Sequence, residues 1–287
     1  MIPTFVIFLR EGIEASMIVA ILLSYLGRIN QREHFRDVYL GVGAALVLVF
    51  AGGVAAYAFI RHYDGSTVQT YFETATYVIA ATALTYMTFW MHRHAPSIAG
   101  ELRARSDAAL SAGTRWGLGL LAFQAVGREG LETMVFTLAI VFASTGQAAT
   151  PVHGQLLWLG AVVGLAAALG IAYAIYRAGA KVNMKVFFRV LGVVLMIFAA
   201  GLLADAVENV QQLGWLHLGT HVMWSTHGVV TEDSSLGDVM HSLLGYADRP
   251  TVAQGVVWVA YVVASVGTFV ALGRRRPRDG APAARGA

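Results

Sequence analysis

Seven runs of apolar residues, 20 to 28 positions long, alternate along the chain with short polar connections. A helix of that length, rising 1.5 Å per residue, reaches across the roughly 30 Å hydrocarbon layer of a bilayer. The runs lie at 2–26, 38–60, 72–91, 116–143, 156–176, 188–208 and 252–272, and each is predicted to be a transmembrane helix. The first run has no basic segment ahead of it and carries charges inside it, so it reads as a retained helix and not as a cleaved leader. Composition strengthens the pattern. The chain is 57% hydrophobic and 13% charged, with a mean hydropathy of +0.62, against about 25% charged residues in an ordinary soluble domain. The expected class is an all-α integral membrane protein.

Two of the apolar runs are broken by the same five-residue pattern: Arg10-Glu11-Gly12-Ile13-Glu14 in the first and Arg128-Glu129-Gly130-Leu131-Glu132 in the fourth. Each ionised side chain at a bilayer centre costs roughly 2.5 to 3.5 kcal/mol, so six of them would cost about 15 to 20 if nothing compensated. That exceeds the net stability of many proteins, about 5 to 15 kcal/mol. The charges must face one another, water or a bound cation.

Helical geometry specifies what they can do. Residues three apart lie about 60° apart around the axis and about 4.5 Å along it, so Glu11 shares a face with Glu14, and Glu129 with Glu132. Two such faces brought together offer four carboxylates, the hard oxygen donors that suit a hard cation. With Arg10 and Arg128 the formal charge is −2. A purely structural role is the alternative: Arg10 pairs with Glu14 and Arg128 with Glu132, locking helices together. That role leaves Glu11 and Glu129 without partners. The absence of cysteine excludes disulfides and thiolate ligation, so any metal is held by oxygen or nitrogen.

Charge outside the spans is one-sided. The connections after the first, third and fifth runs and the tail hold 16 of the 20 basic residues, and the opposite side has only Arg61 and Arg249. The positive-inside rule places the N-terminus outside and the C-terminus in the cytoplasm. Basic residues spread along one membrane face point to anionic lipid and not to nucleic acid. The tail 273–287, rich in Arg, Pro, Gly and Ala, is expected to be a disordered, basic cytoplasmic segment.

The pentads are 118 residues apart, and Gly41 has a counterpart 119 residues on at Gly160. The halves therefore read as a duplication, repeat one about 1–91 and repeat two about 116–208. With three spans per repeat the halves run in opposite senses, the plan of many transporters, whose substrate sites lie near the midplane. The seventh helix, 252–272, stands outside the repeats, and residues 1–272 are expected to form one seven-helix transmembrane domain.

Further acids sit toward the outer side. Glu73 opens the third span, either as a cation relay or as a charge at a helix N-terminus. Asp205 and Glu208, three apart, lie at the outer end of span six, either where an approaching cation would meet them or as a solvated helix end. The long outer connection 209–250 holds His217, His221, His227 and His241 with Glu232, Asp233 and Asp238, which read as surface residues first.

The sequence resembles the iron permeases, the oxidase-dependent iron transporter family of fungal high-affinity permeases and bacterial relatives. The R-E-G-x-E pentads carry the likeness. It extends to Phe72-Glu73, Leu84-Thr85-Tyr86-Met87, Phe89-Trp90-Met91, Ala199-Ala200-Gly201-Leu202-Leu203 and Leu243-Leu244-Gly245-Tyr246. Asp205-Ala206-Val207-Glu208 is similar to an acidic D-A-x-E motif of fungal members, whereas Trp224-Ser225-Thr226-His227 departs from the Trp-Asp-Thr-Ser common in relatives. The resemblance implies a non-enzymatic iron importer of the cell membrane. Its iron-handling residues would be Glu11, Glu14, Glu129 and Glu132, then Glu73, with iron, ferrous or ferric, as transported substrate and no prosthetic group. It also implies extracytoplasmic partners such as a ferroxidase, a haem peroxidase or an iron-binding protein. Two other readings stand beside it. One is a membrane-embedded di-iron oxidoreductase, although such bundles normally use Glu-x-x-His and neither pentad holds a His. The other is a permease for manganese, lead or another divalent ion.

Overall fold

The computed structural model describes the chain except residues 64, 95–96, 112–115, 146–150, 179–183 and 275–287 and the scattered positions 227, 229–230, 232–233, 235–236, 238–239 and 242–243. The described residues are almost wholly helical. Among the described residues the long helices are α1 (Ile2–Arg28), α2 (Phe35–His62), α3 (Thr67–His94), α5 (Gly117–Thr145), α6 (Pro151–Ala178), α7 (Met184–Gln212) and α8 (Val252–Arg274). Each covers one predicted span, that at 116–143 all but its first residue. A shorter helix, α4 (Ile98–Ser111), occupies the basic connection after the third predicted span. The segments Arg32–Phe59, Gln155–Ala174, Arg189–Gln212 and Val252–Leu272 are long and apolar enough to cross a bilayer. Helices α1, α3 and α5 match them in length but are interrupted by charged and polar side chains.

Most helices extend beyond the predicted spans, α6 by five residues at its start and α7 by four at each end. α3 begins at Thr67, five residues before the predicted start, because Gly65 takes a left-handed φ of +73° and the Ser66 hydroxyl accepts a hydrogen bond from the Gln69 amide at 3.4 Å. α8 runs to Arg274, so the helix takes the first two residues of the predicted tail. The remainder of the tail lies outside the described residues.

Helix pairing follows a pattern: α1 packs chiefly on α6, α2 on α5, and α3 on α7, with α8 against α7. Close approaches fix the directions. A Cβ on Gly41 would lie 2.0 Å from the Gly119 carbonyl oxygen, and one on Gly130 would lie 2.9 Å from Val49 Cγ2, so α2 and α5 run parallel. A Cβ on Gly160 would lie 2.3 Å from the Met1 carbonyl oxygen, and one on Gly12 would lie 2.8 Å from Ala168 Cβ, so α1 and α6 also run parallel.

The clash at Gly41 is with backbone, which cannot swing aside as a side chain can. Gly41→Ala is expected to destabilise the protein by about 1 to 3 kcal/mol. Gly43 has open space where its Cβ would stand, so Gly43→Ala is expected to stay within about 0.5 kcal/mol of wild type. Thermal midpoints of the two variants in detergent check the contrast.

The bundle thus has two ends. At one, the C-termini of α1 and α6 meet the N-termini of α2 and α5 and helix α4, around buried Leu22, Leu26, Val38, Leu102 and Leu118. This is the basic end. At the other, the start of α3 meets the ends of α5 and α7.

Candidate metal-ion site

Both pentads fall near the middle of their helices, α1 and α5, which pack on each other. Carboxylate oxygens of Glu11, Glu14 and Glu129 all lie within 4.8 Å of one another, and all three residues are buried. Donors arranged around an ion at roughly 2.0 to 2.6 Å would be separated by distances of this order. Both helices contribute, so the triad exists only because the fold brings residues 118 apart into contact.

Arg10, 3% exposed, sits among them, with Nε 3.2 Å from Glu14 Oε1 and Nη1 3.5 Å from Glu11 Oε1. The matching pair on α5 is Arg128 Nε to Glu132 Oε1 at 3.1 Å. Both pairings foreseen for a structural lock are therefore present. They do not exhaust the carboxylates. Glu11 Oε1 and Oε2, Glu129 Oε2 and Glu132 Oε2 are all buried and accept no hydrogen bond among the described residues. Buried polar atoms almost always find a partner, and an orphan costs roughly 1 to 3 kcal/mol or more when charged. Glu11 Oε1 still faces Arg10 Nη1 at 3.5 Å, so the oxygens without a close partner are Glu11 Oε2, Glu129 Oε2 and Glu132 Oε2, drawn from both helices.

The halves of the site are unequal. The Arg128 side chain is 44% exposed and its Glu132 partner 18% exposed, against 3% and 5% for Arg10 and Glu14. Glu132 lies outside the three-carboxylate group, though within electrostatic reach of Glu14. The Arg128 guanidinium stands 5.0 Å from the centre of the Trp90 ring, and Trp90 stacks on His94 at the end of α3. Sequence assigned no role to Trp90, because its contact lies between helices α3 and α5 and leaves no local pattern.

The secondary acids converge elsewhere. Glu73, Asp205 and Glu208 line one cavity of about 710 Å³ at the end opposite the basic residues, together with Tyr77, Asn209 and His241. Glu73 lies beyond the first turn of α3, which removes its role as a charge at the helix start. It accepts a hydrogen bond from Gln69 Nε2 at 2.8 Å, and Glu208 accepts from Gln212 at 3.2 Å and Gln254 at 2.8 Å. His241 is held through Nδ1 on the Tyr246 carbonyl at 2.8 Å. Two of the segments noted in sequence meet beside it: Gly201 and Gly245 pack so closely that a Cβ on either would fall within 2.8 Å of the other's backbone. His217 and His221 lie outside any helix and so share no helical face. His227, Glu232, Asp233 and Asp238 lie outside the described residues.

With this geometry in view, residues 1–275 match the Iron permease FTR1 family. The chain belongs to the iron permease family. Among members of that family, it is 32% identical over 293 residues to the ferrous iron permease EfeU of Escherichia coli O6:K15:H31, covering 99% of both chains. It is 33% identical over 275 residues to EfeU of Yersinia pestis, covering 94% of this chain and 93% of that one. EfeU of Shigella sonnei matches at 32% over the whole of both. No solved structure matches this iron permease family member.

Proposed function

We propose that the protein imports iron across the cell membrane through the carboxylate site between α1 and α5. The observation that carries this reading is the group of buried oxygens on Glu11, Glu129 and Glu132 that accept no hydrogen bond among the described residues, next to Glu14, in a chain of the iron permease family. At an effective dielectric of about 20, two carboxylates about 4.8 Å apart repel by roughly 3 to 4 kcal/mol. A cation entering the triad reverses that repulsion, while Arg10 keeps the empty site from being prohibitively charged.

The helix arrangement supports two inverted three-helix repeats followed by a seventh crossing helix. The close pairs Gly41 with Gly119 and Gly160 with Met1 are related by shifts of 119 and 118 residues, as are Gly130 with Val49 and Gly12 with Ala168. The exchange of α1 on α6 for α5 on α2 is what a two-fold axis in the membrane plane would produce. The basic end then faces the cytoplasm and the acidic cavity faces outward. Glu73, Asp205 and Glu208 would draw cations into that cavity.

Between the cavity and the triad lies a packed apolar layer that includes Ile7, Tyr77, Phe136 and Ile140. Ile7 is one turn outward of Glu11, and Phe136 one turn outward of Glu132. Arg128, by contrast, reaches an exposed face bordered by Trp90. Import then requires the two repeats to shift so that this layer opens while the inner face closes. An extracytoplasmic ferroxidase, peroxidase or iron-binding protein would deliver the ion to the cavity, and no residue in this scheme performs catalysis.

The test is uptake of radiolabelled iron into proteoliposomes holding the purified chain, with manganese and lead as competitors. Iron accumulation that persists in a tenfold excess of either competitor is expected. Equal displacement by manganese or lead would transfer the proposal to a general divalent-metal permease, and an absence of iron uptake would end it.

A further inference from the structure

A second cavity, about 450 Å³, opens at the basic end between α1, α4 and α6, away from the carboxylate site. Its lining changes character along α1. Arg28 and Tyr25, with Arg103 of α4, stand at the end of the bundle, while Met17 and Ile21, with Ala172 of α6, form an apolar wall leading toward the interior. From Arg28 to Ser16, also in the lining, the groove follows α1 for about 18 Å.

Helix α4 is built to create this groove. Leu102 and Ser106 are buried, Leu102 against Leu22 and Leu26, while Arg103 and Arg105 are exposed. The Tyr25 hydroxyl hydrogen-bonds Asp107, pinning α4 to α1 one turn beyond Arg103. That bond occupies an oxygen of the acid best placed to neutralise Arg103. Among the described residues, neither Arg28 nor Arg103 forms an ion pair or a hydrogen bond.

We propose that this groove binds one anionic phospholipid, with its phosphodiester between Arg28 and Arg103 and an acyl chain along the Met17, Ile21 and Ala172 wall. Two unpaired guanidinium groups at one end of a pocket between membrane helices match a phosphate in charge. The apolar stretch of Met17, Ala20, Ile21 and Ala172 discriminates between sources of that phosphate: a soluble anion would use the arginines alone, whereas a lipid uses both. The lipid would tie α4 to α1 and α6, one helix from each repeat at the cytoplasmic face.

The experiment titrates phosphatidylglycerol, phosphatidylcholine with the same acyl chains, and glycerol phosphate into the full-length protein in neutral detergent. Bound ligand is counted by native mass spectrometry. One phosphatidylglycerol is expected to bind preferentially, with affinity falling about 10- to 30-fold in the R28Q/R103Q double variant. Arg105→Gln, outside the groove, is expected to stay within about twofold of wild type. Ile21→Trp keeps both arginines and fills the wall, so it tests the lipid should the double variant not fold, with a loss of at least about tenfold expected. Equal binding of phosphatidylcholine, glycerol phosphate binding as tightly as phosphatidylglycerol, or unchanged binding in the double variant or in Ile21→Trp would each overturn the proposal.

Discussion

Glu11→Gln is expected to lower iron uptake by at least about 100-fold while raising the thermal stability of the metal-free protein. The loss of uptake follows from the donor set: both Glu11 oxygens are buried without hydrogen bonds, and an amide there offers one neutral oxygen and two N–H groups that repel a cation. Substituting a residue that only supports a ligand typically costs about 10- to 100-fold, so a ligand itself should cost more. The gain in stability follows from the same geometry. Removing one of three carboxylates packed within 4.8 Å relieves repulsion that the single buried Arg10 only partly offsets. Glu129→Gln should behave alike. Glu132→Gln should cost less uptake, because one of its oxygens already belongs to Arg128 and it stands outside the triad. The two signs together separate function from structural locking, for a lock loses stability when its carboxylates are neutralised. Initial uptake rates in proteoliposomes and melting curves with and without iron give both readings from one preparation.

Arg10→Met is expected to have the largest effect on folding. Arg10 faces Glu14 at 3.2 Å and Glu11 at 3.5 Å with almost no exposure. Its removal leaves buried carboxylates uncompensated, a situation that costs about 3 to 5 kcal/mol. Arg128→Met should cost about 1 to 2 kcal/mol, since that side chain is 44% exposed and loses one ion pair and one contact with Trp90. Adding Glu11→Gln to Arg10→Met should restore part of the lost stability, because the charge left behind is smaller. A double-mutant cycle on thermal midpoints measures that coupling, and strictly additive effects would mean that Arg10 and Glu11 do not share one electrostatic site.

Much of this site was legible in the sequence because it is written in local patterns. The helices follow from uninterrupted apolar runs, and the pentads stand out because six charges in two such runs demand an explanation. Spacing of three along a helix placed Glu11 with Glu14, and the shift of 118 residues placed them opposite Glu129. What sequence could not convey is how unevenly the two pentads are treated. They differ at a single position, yet Arg10 is enclosed and Arg128 is half open, because that difference is made by neighbouring helices. Trp90 beside Arg128 and the joining of Glu73 to Asp205 and Glu208 in one cavity depend on contacts between distant segments. Helix α4 escaped notice for another reason: at 14 residues, with polar and charged positions throughout, it lacks the long apolar run by which the other helices announce themselves. The early start of α3 was hidden likewise, since its first turn is polar and is set by Gly65 and Ser66 and not by hydrophobicity.

Whether the two pentads jointly hold the transported ion is decided by X-ray absorption at the iron edge of the loaded, purified protein. The spectrum is expected to show iron surrounded by oxygen donors at about 2.0 to 2.2 Å, with stoichiometric loading abolished when Glu11→Gln and Glu129→Gln are combined. Iron that remains bound in that double variant with the same oxygen shell would contradict joint binding by the pentads.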